Sequence, residues 1–181
     1  MKLKILYIVL FVTFYGFSSF ATDNKSILFV NRDKIMTEAL VMKDIRSQID
    51  ARRSDLQKEF SNREESLHKD EDELAKQKSI LSSEAFNAKV SEFKKKVDDL
   101  QKDITNKRSE LENMYISSIE QVHDKIKQIS EDIAKTSNTN IVLFLMDNQV
   151  LFYDSNIDIS NQVLSKLNKE LSRVDIKKSI H

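Results

Sequence analysis

The sequence predicts an α+β protein in which a long antiparallel helical hairpin, of coiled-coil character, projects from a small β body. Three observations support this fold class. The 181 residues include one Gly and no Pro, the residues that tight turns use most. Apolar residues recur every three or four positions through the charged middle of the chain, as in packed helices. Short, densely apolar segments flank that middle, which is typical of buried strands.

The first 21 residues have the features of a secretory signal peptide. Lys2 and Lys4 precede an apolar stretch at 5–17, and the small-x-small sequence SFA follows at 19–21. This arrangement predicts cleavage after Ala21 and export. The apolar stretch is shorter than the roughly 20 residues of a membrane-spanning helix, although a retained membrane anchor is the alternative.

Charge and cysteine content exclude several classes of function. The chain has 29 basic and 29 acidic residues, and cleavage of the signal peptide with its two lysines would leave 27 and 29, a net charge of −2. The chain has no excess of basic residues, so its charge does not require nucleic acid or an anionic membrane as a partner. Because the chain has no Cys, a disulfide framework, a thiolate nucleophile and a cysteine metal site are excluded.

The chain after the signal peptide is predicted to begin with a buried strand at 26–31, SILFVN, because four consecutive apolar residues occupy both of its faces. A long helix is then predicted over about 32–80. About half of its seam positions are polar, among them Arg46, Arg53 and Arg63, so this seam needs a partner helix. Its apolar seam positions are Met42, Ile49, Leu56, Phe60, Leu67, Leu74 and Leu81.

The segment SSEAF at 82–86 predicts a turn, where Ser82 or Ser83 would cap a second helix that ends near Thr136. The seam of this helix is more regular than that of the first. One irregularity is the eleven residues from Ile104 to Tyr115, a heptad with four residues inserted, which Leu111 and Met114 are expected to bridge. The seam comprises Phe86, Val90, Phe93, Val97, Leu100, Ile104, Tyr115, Ile119, Val122, Ile126, Ile129 and Ile133.

These two helices are expected to form a hairpin arm over 32–137 with its tip near 80–85. Each helix would be about 70 Å long at 1.5 Å per residue, which is more than a compact domain of this size could contain. The alternative is that the helices break and fold back into a bundle. Residues 22–31 and 138–181 are expected to form the body from which the arm projects.

The C-terminal segment is predicted to contain two strands, at about 140–146 and 149–154, joined at Asp147 and Asn148. Asp and Asn accept the left-handed conformation that two-residue hairpins require. An amphipathic helix is predicted over 158–171, with Asp158 or Ser160 as its cap.

All three predicted strands are apolar on both faces, and one short helix cannot cover them. Exposed apolar sheet edges aggregate, so we expect several copies to pair their strands and close a barrel. The alternative is an ordinary monomer core. The residues expected to carry this oligomerisation are Ile27, Phe29, Ile141, Leu143, Leu145, Val150 and Phe152.

The order of these segments resembles the Skp (OmpH) family of periplasmic chaperones. A signal peptide is followed by SILFVNRDKIM at 26–36, then by a charged hairpin that turns at SSEAFNAKVSEFKKKVDDLQKDI, 82–104. The most specific part is NIVLFLMDNQVLFYDSNIDISNQVLSKLN at 140–168. The resemblance extends over essentially the whole mature chain.

This resemblance implies a homotrimer whose strands build a β-barrel body with three projecting arms. It further implies an ATP-independent holdase that keeps unfolded outer-membrane β-barrel proteins between the arms until they are delivered for membrane assembly. The chain differs from the family in charge, since better-known members are strongly basic. Its slightly acidic mature charge therefore does not support contact with lipopolysaccharide or a membrane surface.

No catalytic, cofactor or metal site is predicted from the sequence, and the protein is not expected to be an enzyme. His68, His123 and His181 are widely spaced, without the pairing found in zinc sites. The acidic run DEDE at 70–73 lacks the Gly and the spacing of a calcium loop. The one Gly, Gly16, lies in the signal peptide, so no glycine-rich phosphate loop remains.

A holdase requires a surface that binds many unfolded chains weakly, and the incomplete seam of the outer arm offers one. The candidate client-contacting residues are Phe60, Leu67, Leu74, Phe86, Val90, Phe93 and Val97. The alternative is that these residues only pack the two helices together. The alternative function is a non-catalytic coiled-coil structural or adaptor protein of an envelope assembly, whose arm would dock on one folded partner.

Overall fold

A computed structural model describes residues 26–176. The signal peptide predicted for residues 1–21 lies outside the described residues, as do residues 22–25 and 177–181 of the predicted body. The helices and strands follow in the order β1 (Ile27–Asn31), α1 (Arg32–Glu38), α2 (Leu40–Gln77), α3 (Ser83–Thr136), β2 (Ile141–Leu145) and α4 (Ser160–Glu170).

Strands β1 and β2 form a parallel pair, in register from Ile27 opposite Ile141 to Asn31 opposite Leu145. Parallel neighbours need a long crossover connection, and here the whole helical arm is that connection. The two ends of the arm are therefore held side by side by backbone hydrogen bonds. Within residues 26–176 this sheet has two strands.

The prediction of a third strand at 149–154 was wrong. Residues Asp147–Gln149 form a turn of 3-10 helix in place of the two-residue hairpin, and Ser155–Ile157 form another. The segment does not fold back on β2 because Asp147 is held instead by the start of α1. Its backbone N–H donates to Asp33 Oδ2 at 3.0 Å, and its carboxylate accepts a hydrogen bond from the Asn31 side chain.

The first long helix is broken at Ala39, whereas the sequence predicted a continuous helix over about 32–80. Ala39 has extended backbone angles, φ −59° and ψ 135°, and separates α1 from α2. Asn31 caps α1 by accepting a hydrogen bond from Lys34 N at 2.9 Å. The start of α2 has no cap of its own, and Asn168 of α4 accepts from Leu40 N at 2.8 Å.

Helices α2 and α3 pack along each other and form the hairpin. Their 38 and 54 residues correspond to about 57 Å and about 81 Å of helix. Ser82 is the N-cap of α3, one of the two serines predicted for that role, and its hydroxyl accepts from Ala85 N at 3.3 Å. The turn at the tip occupies residues 78–82, close to the predicted position.

The main hydrophobic core lies at the strand end of the molecule. Val30 and Leu28 of β1 point into it, with residues from α1, α4 and the adjoining ends of α2 and α3. The arm beyond this core has a separate, smaller cluster of three buried residues, Leu56, Phe60 and Leu100. Burial therefore falls from the sheet toward the tip, and the outer arm is held by partly wet contacts.

The seam of α3 was predicted incorrectly at Tyr115, whereas Met114, one of the two residues expected to bridge the insertion, lies on the core side. Tyr115 is 38% exposed, whereas Met114 is buried and Ser118 is fully buried. The Ser118 hydroxyl donates to Met114 O at 2.7 Å, so its polarity is satisfied within the helix. The core side of α3 therefore runs through Met114, Ser118 and Val122, and Tyr115 lies beside it.

Helix α4 forms close to the predicted range and buries Val163 and Leu167 completely. Its first residue, Ser160, follows Ile159, which has no capping side chain. Asp158, one of the two predicted capping residues, accepts instead from Ser160 N at 2.8 Å. The preceding segment runs beside β1, where Ile159 N donates to Phe29 O at 2.9 Å.

Candidate functional site

The two faces of the sheet have different surroundings. Side chains alternate along a strand, so Leu28 and Val30 share one face with Val142 and Phe144, and that face packs on the helical core. The opposite face contains Ile27, Phe29, Ile141, Leu143 and Leu145. The sequence correctly indicated that both faces are apolar, and the structure shows that helices cover only one of them.

The uncovered face exposes Ile27, Ile141 and Leu143. Phe29 is buried because the Tyr153 ring packs on it, with centroids 4.5 Å apart. Leu145 and Val150 are half-buried. No described strand pairs with the outer edge of β2.

The segment after β2 adds two large exposed side chains to this region. Leu151 is fully exposed and Phe152 is 88% exposed, while their neighbour Tyr153 is anchored on Phe29. Burial and the carboxylates of Asp158 and Asp147 raise the pKa of Tyr153 above its usual value. We call the exposed set Ile27, Ile141, Leu143, Leu151 and Phe152 the sheet-end patch.

The candidate client-contacting residues lie along the seam of the outer arm. Phe60 is buried between the helices. Val97 is 41% exposed, the most accessible of the seven. The others are half-buried between α2 and α3: Leu67, Leu74, Phe86, Val90 and Phe93.

Two ion pairs join α2 to α3 in the outer arm, at polar positions of the seam. Arg63 pairs with Asp103, and Lys96 pairs with Asp70 at 2.8 Å. The hydrogen bond and the charge of Asp70 raise the pKa of Lys96 above its usual value. These polar contacts take the place of apolar layers that the sequence does not supply.

An opening between the two helices lies closer to the body than the outer-arm residues. It is a groove of about 570 Å³ between residues 46–60 of α2 and residues 108–115 of α3, which we call the proximal groove. Its apolar lining includes Ile49, Leu56, Phe60, Leu111 and the Tyr115 ring. The sequence patterns did not predict this groove, although polar residues at seam positions and the insertion before Tyr115 were signals of imperfect packing.

Nothing in residues 26–176 has the arrangement of a metal centre. No group of three or more His, Asp or Glu side chains converges there. His68 Nδ1 lies 3.7 Å from a Glu71 carboxylate oxygen on the surface of α2. His123 packs edge-on against Phe144, with ring centroids 6.0 Å apart.

The model of the family described as outer membrane protein (OmpH-like) matches residues 26–167. The chain belongs to the OmpH-like family. The matched region contains both strands and the whole arm, so the resemblance seen in the sequence is confirmed. No curated protein matches the chain by sequence.

The OmpH-like fold is also seen in a solved structure. A Caulobacter crescentus protein named as a candidate outer membrane chaperone (OmpH-like) aligns with a TM-score of 0.74 and 13% identity, over 82% of this chain and 87% of that one. At this identity the likeness shows the fold alone. Within residues 26–176, no helix is both long and apolar enough to cross a membrane.

Proposed function

We propose that this OmpH-like protein is an ATP-independent holdase chaperone of the periplasm, which binds unfolded outer-membrane β-barrel proteins and delivers them for membrane assembly. The observation that carries the proposal is the family match over residues 26–167. The arm supports it, because a projecting hairpin with a small buried cluster offers a long surface for weak contacts. Export would follow from the signal peptide predicted at residues 1–21.

We infer that three copies assemble through the sheet-end patch and the open edge of β2. An apolar sheet face with an unpaired edge is a template for another strand. Closure into a barrel would bury that face and pair that edge. Strand residues Ile27, Phe29, Ile141, Leu143 and Leu145 would lie in or beside this barrel, with Val150 and Phe152 against its rim. Three arms would then enclose one client.

Client contacts along the outer arm are proposed for the exposed and half-buried seam residues, with Val97 the most accessible. Phe60 would contribute through helix packing. A Phe86→Ser, Phe93→Ser double variant tests the outer arm, because it removes both rings without touching the main core. Unchanged client retention by a folded assembly would contradict a role for these two side chains.

The proposed activity requires no catalytic group or cofactor. Binding and release of an unfolded chain need only many weak contacts and an enclosed space. Residues 22–181 contain no Gly, so a glycine-rich nucleotide loop is absent from them. We propose that release is driven by transfer of the client to a more stable folded state.

Native mass spectrometry of residues 22–181 mixed with a urea-diluted outer-membrane barrel protein tests the proposal. A complex of three chains and one client is the expected species. Three chains without client, while the barrel protein aggregates, would favour the adaptor function. A monomer would overturn the assembly, and a folded coiled-coil protein added as a competitor should not displace the client.

A further inference from the structure

The proximal groove exists because two arginines at seam positions of α2 point away from the space between α2 and α3. Arg46 donates to the carbonyl oxygens of Met36 at 3.1 Å and Thr37 at 3.2 Å, at the end of α1. Arg53 pairs with Asp50 at 2.7 Å on its own helix. Neither side chain fills the layer opposite α3, so the helices leave an opening between them.

The α3 side of the groove has polar groups that find no partner in the described part of the chain. Arg108 and Glu112 make no ion pair or side-chain hydrogen bond within residues 26–176, and neither does the Tyr115 hydroxyl. The three residues follow one another at roughly one-turn intervals along one wall. On the α2 wall, Arg46 and Arg53 are already satisfied. A bound segment would therefore contact an apolar floor, with the cation of Arg108 and the anion of Glu112 both unpaired among residues 26–176.

The dimensions of the groove suit an extended peptide. Residues 46–60 of α2 line it over about 21 Å of helix and residues 108–115 of α3 over about 10 Å, which suits about three to six residues of a strand at 3.3 Å each. The volume of about 570 Å³ lies between these two lining stretches. Such a long, narrow opening fits a strand-like segment better than a helix, whose diameter with side chains is about 10–12 Å.

We propose that the proximal groove binds one extended segment of an unfolded outer-membrane β-barrel protein. Strands of these barrels alternate apolar and polar residues. Alternate apolar side chains would pack on Leu111 and the Tyr115 ring, the apolar lining residues that are not buried, and polar side chains of either charge would face Arg108 and Glu112. This inference rests on the proposed holdase function, and it places the strongest client contact near the body rather than on the outer arm.

Because the chain has no Cys, single-cysteine variants of residues 22–181 can each hold one benzophenone crosslinker. Tyr115→Cys places it in the groove. Ile116→Cys is the matched control, since Ile116 is the adjacent exposed apolar residue, 47% exposed against 38% for Tyr115, and does not line the groove. Val97→Cys reports on the outer arm. The client is a urea-diluted outer-membrane barrel protein.

We expect the client to crosslink several times more strongly from position 115 than from 116 or 97. Equal yields at 115 and 116 would overturn the groove while leaving the holdase function intact. Crosslinks from 115 to a second copy of this chain would show that the groove is a self-interface, which also overturns it. A wild-type protein that fails to retain client in the same assay would overturn the function itself.

A second measurement does not depend on crosslinking chemistry. Tyr115→Asp puts a carboxylate into the apolar lining of the groove and should weaken client binding by about tenfold, the loss typical of a central contact. Ile116→Asp should change it by less than about twofold. Client affinities can be measured by fluorescence anisotropy of a labelled, unfolded barrel protein. Equal affinities for the two variants would contradict the proposal.

Discussion

The backbone N–H of Asn31 donates to the hydroxyl of Ser160 at 2.8 Å, joining two residues that are 129 positions apart. Ser160 is fully buried. Next to this bond, Ile159 N donates to Phe29 O, so the segment before α4 runs beside β1. Hydrogen bonds thus join the start of the arm to the start of the C-terminal helix at the point where the chain leaves the sheet. The arm is held at its base by these bonds as well as by apolar packing.

Replacement of this hydroxyl should destabilise the protein measurably. In Ser160→Ala, the Asn31 N–H loses its partner in a part-buried position, which costs about 1–3 kcal/mol of the free energy of unfolding. Urea unfolding at fixed protein concentration measures the change, since self-association alters apparent stability. Ser165→Ala is the control, because Ser165 is exposed on the same helix. Equal midpoints for the two variants would contradict the assigned role.

The start of α2 offers a second test of the base of the arm. Asn168→Ala removes the side chain that caps Leu40 N, and loss of a helix cap typically costs about 0.5–2 kcal/mol. We expect a lower unfolding midpoint, together with faster amide hydrogen exchange in the first turn of α2. Asn161→Ala, on the exposed side of α4, should leave both quantities unchanged. Exchange that stays at the wild-type rate would show that water caps this helix equally well.

The long helices, the turn at the tip and the apolar ends follow from local sequence patterns, but the break at Ala39 does not. Alanine is the best helix former, so nothing local ends the helix there. The break is stabilised from a distance, by Asn168 on one side and by Arg46 donating to the last carbonyls of α1 on the other. These contacts exist only after the ends of the chain have come together.

Parts of the candidate site that depend on contacts between distant segments could not be predicted from the sequence, whereas parts that depend on local composition could. Apolar strands predicted a sheet that helices cannot fully cover, and the exposed sheet-end patch agrees with that expectation. The proximal groove escaped prediction because it depends on where Arg46 points, and that direction depends on the break at Ala39. The segment at 149–154 has the composition of a strand, but contacts of Asp147 with Asn31 and Asp33 keep it from folding back on β2.

The ion pair between α3 and α4 predicts a pH dependence. Lys125 lies 2.8 Å from Glu170, and its hydrogen bond holds the pKa of that carboxyl below its usual value of 4.5. Because the folded pKa is lowered, the stabilisation is present above about pH 4.5 and is lost as the pH falls through the folded value. Glu170→Gln should therefore unfold at a slightly lower temperature than wild type near neutral pH.

At a pH below the folded pKa of Glu170 that difference should disappear, since both proteins then carry a neutral side chain at position 170. Differential scanning calorimetry across this range measures it. Glu112→Gln is the control, because Glu112 has no ion-pair partner within residues 26–176 and should show a much smaller difference at either pH. A Glu170→Gln difference that persists in acid would mean that the amide disturbs packing and that the ion pair is not responsible.

The sheet-end patch predicts how self-association can be removed without unfolding the protomer. Leu151 and Phe152 contribute little to the protomer core, since both are almost wholly exposed. A Leu151→Asp, Phe152→Asp double variant should keep its helical content but sediment as a single chain, because four carboxylate oxygens cannot be buried in an apolar interface without partners.

Ile80→Asp is the matched control for this variant. Ile80 is 78% exposed, but it lies at the tip of the arm, far from the sheet. Sedimentation velocity should therefore show three chains for the wild type and for Ile80→Asp, and one chain for the double variant. Three chains in the double variant would show that the assembly does not use this segment. A wild-type protein that sediments as one chain would contradict the proposed pairing of the β2 edge with a strand of another copy.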